Sequence, residues 1–304
     1  MKNSCVMMVI AIAIAGLLAS PMAAEEKKVY TFGIRSGVSN EFDGQTKTIL
    51  NDLSVSFSKI YGIDIKIVWF NNDKDFFTAV DSGAIDFLSA YKGENIIKIL
   101  KEGHYLPFVA FTHLGYEKQK MCLYVNKNRE DKSLASLKNG KLLLVDWLED
   151  YYKLRSFLDE KPEKYFNSIK ILPNGVSAIY SLALNEGGVA FILDNTVAIM
   201  KLTNPGPVKQ ITEIACSPAF MAQPVLRSKK TPKDFSDKFQ SLLMNFEKEE
   251  ATKKYRSLIK MYKIKIIPVT LDQYKPLLDL YQKAENSDWN KDFESLSKYA
   301  KKTK

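Results

Sequence analysis

The chain has 304 residues, with 44 lysines and arginines against 35 aspartates and glutamates, for a formal net charge of +9. At 46% hydrophobic residues it can bury one large or two medium cores. The basic residues are scattered, which argues for a solvated basic surface or an affinity for anionic surfaces and against nucleic acid. Two histidines, His104 and His113, cannot supply a zinc site of ordinary ligand spacing. No Gly-x-Ser-x-Gly, Walker or His-Glu-x-x-His motif occurs, so neither a catalytic residue nor a cofactor is expected.

In chain order, residues 1–24 read as a secretory signal. Lys2 supplies the positive start, Val6 to Leu18 is an apolar run, and Ala19-Ser-Pro-Met-Ala-Ala24 offers small residues for cleavage. The run is shorter than the roughly 20 residues of a membrane-spanning helix. The expectation is a soluble protein exported to the periplasm of a Gram-negative bacterium. No later stretch is apolar enough to span a bilayer.

Strands and helices then alternate. Val29 to Ile34 predicts a strand, ending in the turn-rich loop Arg35 to Asn40. Apolar residues at helical spacing predict a helix over Gln45 to Tyr61, stopped by Gly62. Ile63 to Phe70 is a strand, Asp73 to Ser82 a helix, Ile85 to Leu88 a strand and Glu94 to Lys101 a helix. Leu106 to Thr112 and Met121 to Asn126 are two successive strands. A second set follows, with strands at Lys141 to Val145, Ser168 to Leu172 and Val189 to Leu193, and helices at Leu148 to Leu158 and Val176 to Asn185. Ile211 to Ala215 and Phe220 to Arg227 read as a return path, followed by two helices within Lys233 to Met261 and another over Leu271 to Gln282. Such strand–helix repeats build mainly parallel sheets flanked by helices. Cys122 and Cys216, the cysteines beyond the signal, are either two isolated thiols or a pair.

Several stretches resemble the periplasmic phosphate/phosphonate-binding family, the solute receptors of phosphonate-type ABC importers. They are Phe32-Gly-Ile-Arg-Ser-Gly-Val-Ser39, Gly62-Ile-Asp-Ile-Lys-Ile-Val68 and Ala79-Val-Asp-Ser-Gly-Ala-Ile-Asp-Phe87. Further on, Lys132-Ser-Leu-Ala-Ser-Leu-Lys-Asn-Gly-Lys141 is similar to the family's opening of its second lobe, and Ser217-Pro-Ala-Phe220 with Gln223-Pro-Val-Leu-Arg227 to its return crossing. The resemblance implies a two-lobed type 2 periplasmic-binding fold, each lobe a mainly parallel sheet flanked by helices, joined by two hinge strands. Lobe 1 would comprise residues 25–121 and 217–304, and lobe 2 residues 122–216. It implies a monomeric, non-enzymatic receptor that holds a small molecule between the lobes and presents it to an ABC permease. A sensor passing cleft occupancy to a membrane kinase or cyclase is the alternative. Hinge crossings near Lys120 to Tyr124 and Ala215 to Phe220 would bring Cys122 and Cys216 onto neighbouring strands, where a disulfide is possible and two free thiols remain the other reading.

Ligands of α/β sheets sit beyond the carboxyl ends of the strands. That rule selects Arg35, Ser36 and Ser39; Ser89, Tyr91 and Lys92; Asp146, Trp147 and Tyr151; and Ser177 and Asp194. The serines would donate hydroxyls, and Arg35 and Lys92 would balance an anion. Where phosphonate receptors typically carry a Ser/Thr-rich turn, this chain has Val145-Asp-Trp-Leu-Glu-Asp-Tyr-Tyr152. Asp146, Glu149 and Asp150 either serve as helix-dipole partners or face the cleft, where they would repel an oxyanion and favour an amine-bearing, cationic or aromatic ligand.

Overall fold

The computed structural model describes residues 29–35, 40–90, 93–145, 148–186 and 188–302. Residues 1–24, Ser36, Ser39, Tyr91, Lys92, Asp146 and Trp147 lie outside them. No helix among the described residues is long and apolar enough to cross a membrane.

Lobe 1 begins with strand β1 (Val29–Arg35), helix α1 (Asn40–Tyr61), β2 (Asp64–Phe70), α2 (Asp73–Asp81), β3 (Phe87–Ala90), α3 (Gly93–Glu102) and β4 (Tyr105–Thr112). β1 pairs in parallel with β2 on one side and β3 on the other. Helix α2 is started by Asn72, whose side chain accepts from the Asp75 N–H at 2.9 Å. That carbonyl satisfies one of the donors a helix leaves orphaned at its first turn. Gly83, at φ +71°, supplies the left-handed turn by which the chain leaves for β3.

The chain then crosses through β5 (Lys118–Gln119) into lobe 2. This lobe comprises β6 (Met121–Asn126), β7 (Lys141–Val145), α4 (Leu148–Leu158), the single turn α5 (Pro162–Tyr165), β8 (Ser168–Leu172), α6 (Gly175–Ala183), β9 (Val189–Leu193), α7 (Asp194–Thr203), α8 (Pro205–Val208) and β10 (Ile211–Cys216). It returns through β11 (Phe220–Met221) to β12 (Pro224–Ser228), α9 (Lys233–Met244), α10 (Arg256–Met261), β13 (Lys265–Pro268), α11 (Leu271–Asn286) and α12 (Trp289–Lys302).

Two main sheets result, in the orders β13-β4-β12-β3-β1-β2 and β10-β6-β9-β7-β8. In each, a strand from the far side of the crossover runs against its neighbours: β12 is antiparallel to β3 and β4, and β6 antiparallel to β9 and β10. β7 and β9 carry unbroken apolar runs because helices cover both faces of their sheet. The small pair β5–β11 is the hinge, with Phe220 opposite Gln119 and Met221 opposite Lys118. This is the two-lobed type 2 periplasmic-binding architecture.

Three features depart from the sequence-based expectation. Asp194, selected as a residue beyond the end of a strand, is not in a loop but is the first residue of α7, entered directly from β9. Lys265 to Pro268 forms an edge strand on β4. The C-terminal helices, expected in lobe 1, pack largely on lobe 2. Leu277, Leu280, Tyr281 and Ala284 of α11, with Trp289 and Leu296 of α12, join the core cluster of Leu123, Leu144, Tyr152 and Phe191. Tyr274, at the start of α11, belongs instead to the lobe 1 cluster with Phe76 and Leu88. One helix thus spans both lobes.

Cys122 and Cys216 lie opposite each other on β6 and β10 and are joined by a disulfide. The bridge closes a loop with a sequence separation of 94, so it removes much freedom from the unfolded chain. Replacing both cysteines with serine should lower stability by about 2–4 kcal/mol, read as a lower urea midpoint with a steeper slope, because the freed unfolded chain exposes more surface. An unmoved midpoint would show that the bridge adds nothing to lobe 2.

Candidate functional site

A cavity of about 430 Å³ lies between the lobes, against the hinge. Lobe 1 gives it Ser89 at the end of β3 and Gly93 and Glu94 at the start of α3. Lobe 2 gives it Glu149, Asp150 and Lys153 from α4 and Asn195 from α7. Gln119 and Phe220 line it from the hinge, and Tyr274 from α11. It lies where strand ends and helix starts of the two lobes meet, the place the strand-end rule selects.

Its chemistry is set by the first turns of α4. Glu149 and Lys153 are one helical turn apart, acid before base, which favours their pairing, and Glu149 Oε1 lies 2.5 Å from Lys153 Nζ. Both side chains are largely shielded, at 12% and 8% exposure, so this is a desolvated pair rather than a surface one. Lys153 Nζ also stands 5.1 Å from the Phe220 ring centre, tying α4 to the hinge. The other Glu149 oxygen accepts a long hydrogen bond, 3.4 Å, from the Tyr281 hydroxyl of α11. Burial, with the Glu149 and Glu94 charges, holds the Tyr281 phenol well above its usual range, so it stays a donor.

Glu149 also reaches across the cleft. A β-carbon on Gly93 would fall 1.4 Å from Glu149 Oε2. The carboxylate therefore lies against the bare backbone of the first α3 residue, where helix N–H groups favour negative charge. The glycine leaves the space that the Glu149 carboxylate, the end of a flexible side chain, now occupies; its torsion is ordinary.

Asp150 is fully enclosed. Burial pushes its carboxyl up to about 7; Lys153 opposes the rise, and Glu149 and Glu94 add to it. His113, also at the cavity wall, is held below its ordinary range by burial and is neutral at pH 7. Asn195 is 5% exposed, and its Oδ1 receives no hydrogen bond among the described residues. Thus the described wall offers three carboxylates and an amide acceptor against one lysine already paired with Glu149.

Of the residues selected from sequence, Ser89 lines this cavity. Arg35 is placed in lobe 1, its Nε donating to Asp73 Oδ1 at 2.7 Å. Tyr151 is turned away from the cleft, because two residues beyond Glu149 is about half a turn around the helix. It is wholly buried, its ring 5.5 Å from Phe293 and its hydroxyl donating to Glu163 Oε1 at 3.1 Å. Ser177 lies in the first turn of α6, where its N–H and hydroxyl both donate to Oδ1 of the capping residue Asn174. Asp194 accepts the N–H groups of Lys120 and Asn195 and lines an outer groove beside the disulfide. Glu94, Lys153 and Asn195 were missed. The Glu149–Lys153 spacing was a visible signal, but only the fold tells which face of α4 meets the other lobe.

Two outcomes follow from this geometry. Gly93→Ala should force Glu149 away and open the unliganded protein, raising its radius of gyration in X-ray scattering, and adding Glu149→Ala should restore it. An unchanged radius in Gly93→Ala would show that the contact does not hold the lobes together. For Asp150, the raised folded-state value means that its contribution to stability is complete below about pH 4 and is lost as pH rises through about 7. The melting temperature of Asp150→Asn minus that of the parent should therefore climb between pH 4 and 7 and then level. A flat difference would contradict the buried, protonated carboxyl.

Comparison with known proteins agrees with the fold. Residues 38–274 match the family described as "ABC transporter, phosphonate, periplasmic substrate-binding protein". A binding protein component of an ABC phosphonate transporter from Pseudomonas aeruginosa superposes with a TM-score of 0.62 at 17% identity, over 91% of this chain and 97% of that one. PhnD1 from Prochlorococcus marinus, in complex with methylphosphonate, gives 0.64 at 14% identity, over 85% and 99%. The periplasmic aliphatic sulphonate-binding protein of Escherichia coli gives 0.56 at 14%, over 85% and 93%. A search of curated proteins finds no match to the sequence. The chain belongs to the periplasmic substrate-binding family of phosphonate ABC transporters, which sets it in the periplasm with a small molecule as cargo and an ABC permease as partner.

Proposed function

We propose that this receptor selects its cargo by a protonated amine. The observation that carries the reading is the acidic set at the cleft: among the described residues, Glu149 and the buried Asp150 stand beside an Asn195 Oδ1 that receives no hydrogen bond, and the one lysine there, Lys153, is already paired with Glu149. A desolvated carboxylate held by the fold attracts an ammonium strongly and repels an oxyanion by the same Coulomb term. Glu149 stands at the start of α3, where a free anion would otherwise be welcome. A simple alkylphosphonate of the kind held by the Prochlorococcus protein would meet that carboxylate, whereas an amine would meet partners.

On this reading residues 1–24 are a cleaved export signal. The mature protein works as a monomer and delivers its cargo unchanged, with no catalytic step. Closure follows from ligand contacts to both lobes, Ser89 and Glu94 on one side and Asp150 and Asn195 on the other, since a ligand favours the form in which it touches more partners.

The test is a thermal-shift series on the protein from Glu25 onward with ethylphosphonate, its ω-amino counterpart and ethylamine at matched concentrations. Binding to the folded form alone raises the melting point by mass action. Both amines should shift it and ethylphosphonate should not, and Glu149→Gln should reduce the amine shifts. A shift with ethylphosphonate that Glu149→Gln enlarges would return the cleft to the oxyanion class.

A further inference from the structure

Lobe 1 also carries a half-open apolar pocket of about 110 Å³ between its sheet and helices α1 and α9. Leu53 and Phe57 come from α1, Phe32 and Ile67 from the sheet, and Leu243 from α9, with Phe246 just beyond it. Among the described residues no charged side chain lines it. Its two hydroxyls are already engaged. Ser54 Oγ donates to the Ile65 carbonyl, and Thr252 Oγ1 to the carbonyls of Phe246 and of Glu249, the latter at 2.9 Å. A buried water needs two to four polar partners, and apolar cavities without them stay dry and accept hydrocarbons.

The surrounding packing is unfinished in the same place. Phe57 and Phe239 are buried, yet Phe32, Leu53, Leu243 and Phe246 of the same cluster remain only partly covered. Protein cores normally close to the density of an organic crystal. Phe111, 37% exposed at the end of β4, lines both this cavity and the interlobe cleft. We propose that the cavity is a second binding site, taking a hydrocarbon group of the size of one aromatic ring or a short alkyl chain, with Phe111 between it and the cleft. The group arrives as a free small hydrocarbon or as the apolar end of a cleft ligand.

Benzene is the probe for the cavity alone. It should raise the melting temperature of the parent by about 2–4 °C near saturation, and the filled variants Leu53→Phe and Ile67→Phe should lose that shift. Two fillings guard against one that fails to fold, which circular dichroism reports. The source of the group is read from ethylamine against hexylamine. A larger shift with hexylamine, abolished by filling, assigns the site to the tail of a cleft ligand. A benzene shift with no chain-length gain assigns it to a free hydrocarbon. No shift with benzene and no chain-length gain in the parent, or a benzene shift that survives both fillings, overturns the proposal. Only the chain-length arm uses the amine reading of the cleft, so failure of that reading leaves the benzene arm intact.

Discussion

Everything in the cleft depends on how the lobes are joined. The crossings β5 and β11 are two residues each and pair with one another, and immediately beyond them Cys122 and Cys216 lock β6 to β10. Ser217 Oγ accepts the Met121 N–H at 3.1 Å, and the Ser217 N–H donates to the Met121 carbonyl, so the two paths are tied on the lobe 2 side as well. α11 adds a third connection. Its Tyr274 hydroxyl donates to the Ala222 carbonyl at 2.7 Å, while Leu277 to Ala284 pack in the lobe 2 core. Pro276 falls between these contacts and leaves the Asp272 carbonyl without its helical N–H. The helix is thus weakest where its packing changes lobes, so opening can be absorbed as a bend there without stripping either end from its core.

That frame explains why charge, rather than shape, dominates the cavity. Bringing α4 against α3 encloses Glu149, Asp150 and Lys153, and an isolated buried charge costs several kcal/mol unless paired. Lys153 and Tyr281 meet Glu149, and Gly93 lets it reach the start of α3. Asp150 is relieved differently, by holding its proton. The closed arrangement therefore has an internal substitute for ligand charge, and a ligand must offer more than this set already provides.

Much of the fold was legible in the sequence because its local signals agree with one another. β7, α4, β8 and β9 begin and end where apolar runs and helical spacing say they should. The departures have tertiary causes. Asp194 reads as a loop residue until its carboxylate is seen gathering the N–H groups of Lys120 and Asn195 at the start of α7. The α11 pattern marks an amphipathic helix without saying which core receives it. The site was harder for the same reason. Ser89 was found by position, but α4 presents two acidic-aromatic faces of similar composition. The aromatic one, Tyr151 and Tyr152, went to the core, leaving Glu149, Asp150 and Lys153 for the cleft.

The similarity to phosphonate- and sulphonate-binding structures at 14–17% identity is a similarity of fold, and a fold by itself does not fix the pocket. Strand order, crossover points and core patterning rest on residues spread over the whole chain, and many apolar choices satisfy them. The charge of the described cleft, by contrast, comes from a handful of side chains in the first turns of helices. The apolar cavity beside Phe111 belongs to the same logic. A void lined by partly covered leucines, isoleucines and phenylalanines costs stability for as long as it is empty, and that cost falls in lobe 1, whose α1 and α9 lie away from the tightly tied hinge. Filling it would stabilise lobe 1 without touching the charges of the cleft, so the two cavities can respond separately to the polar and apolar parts of what the protein meets.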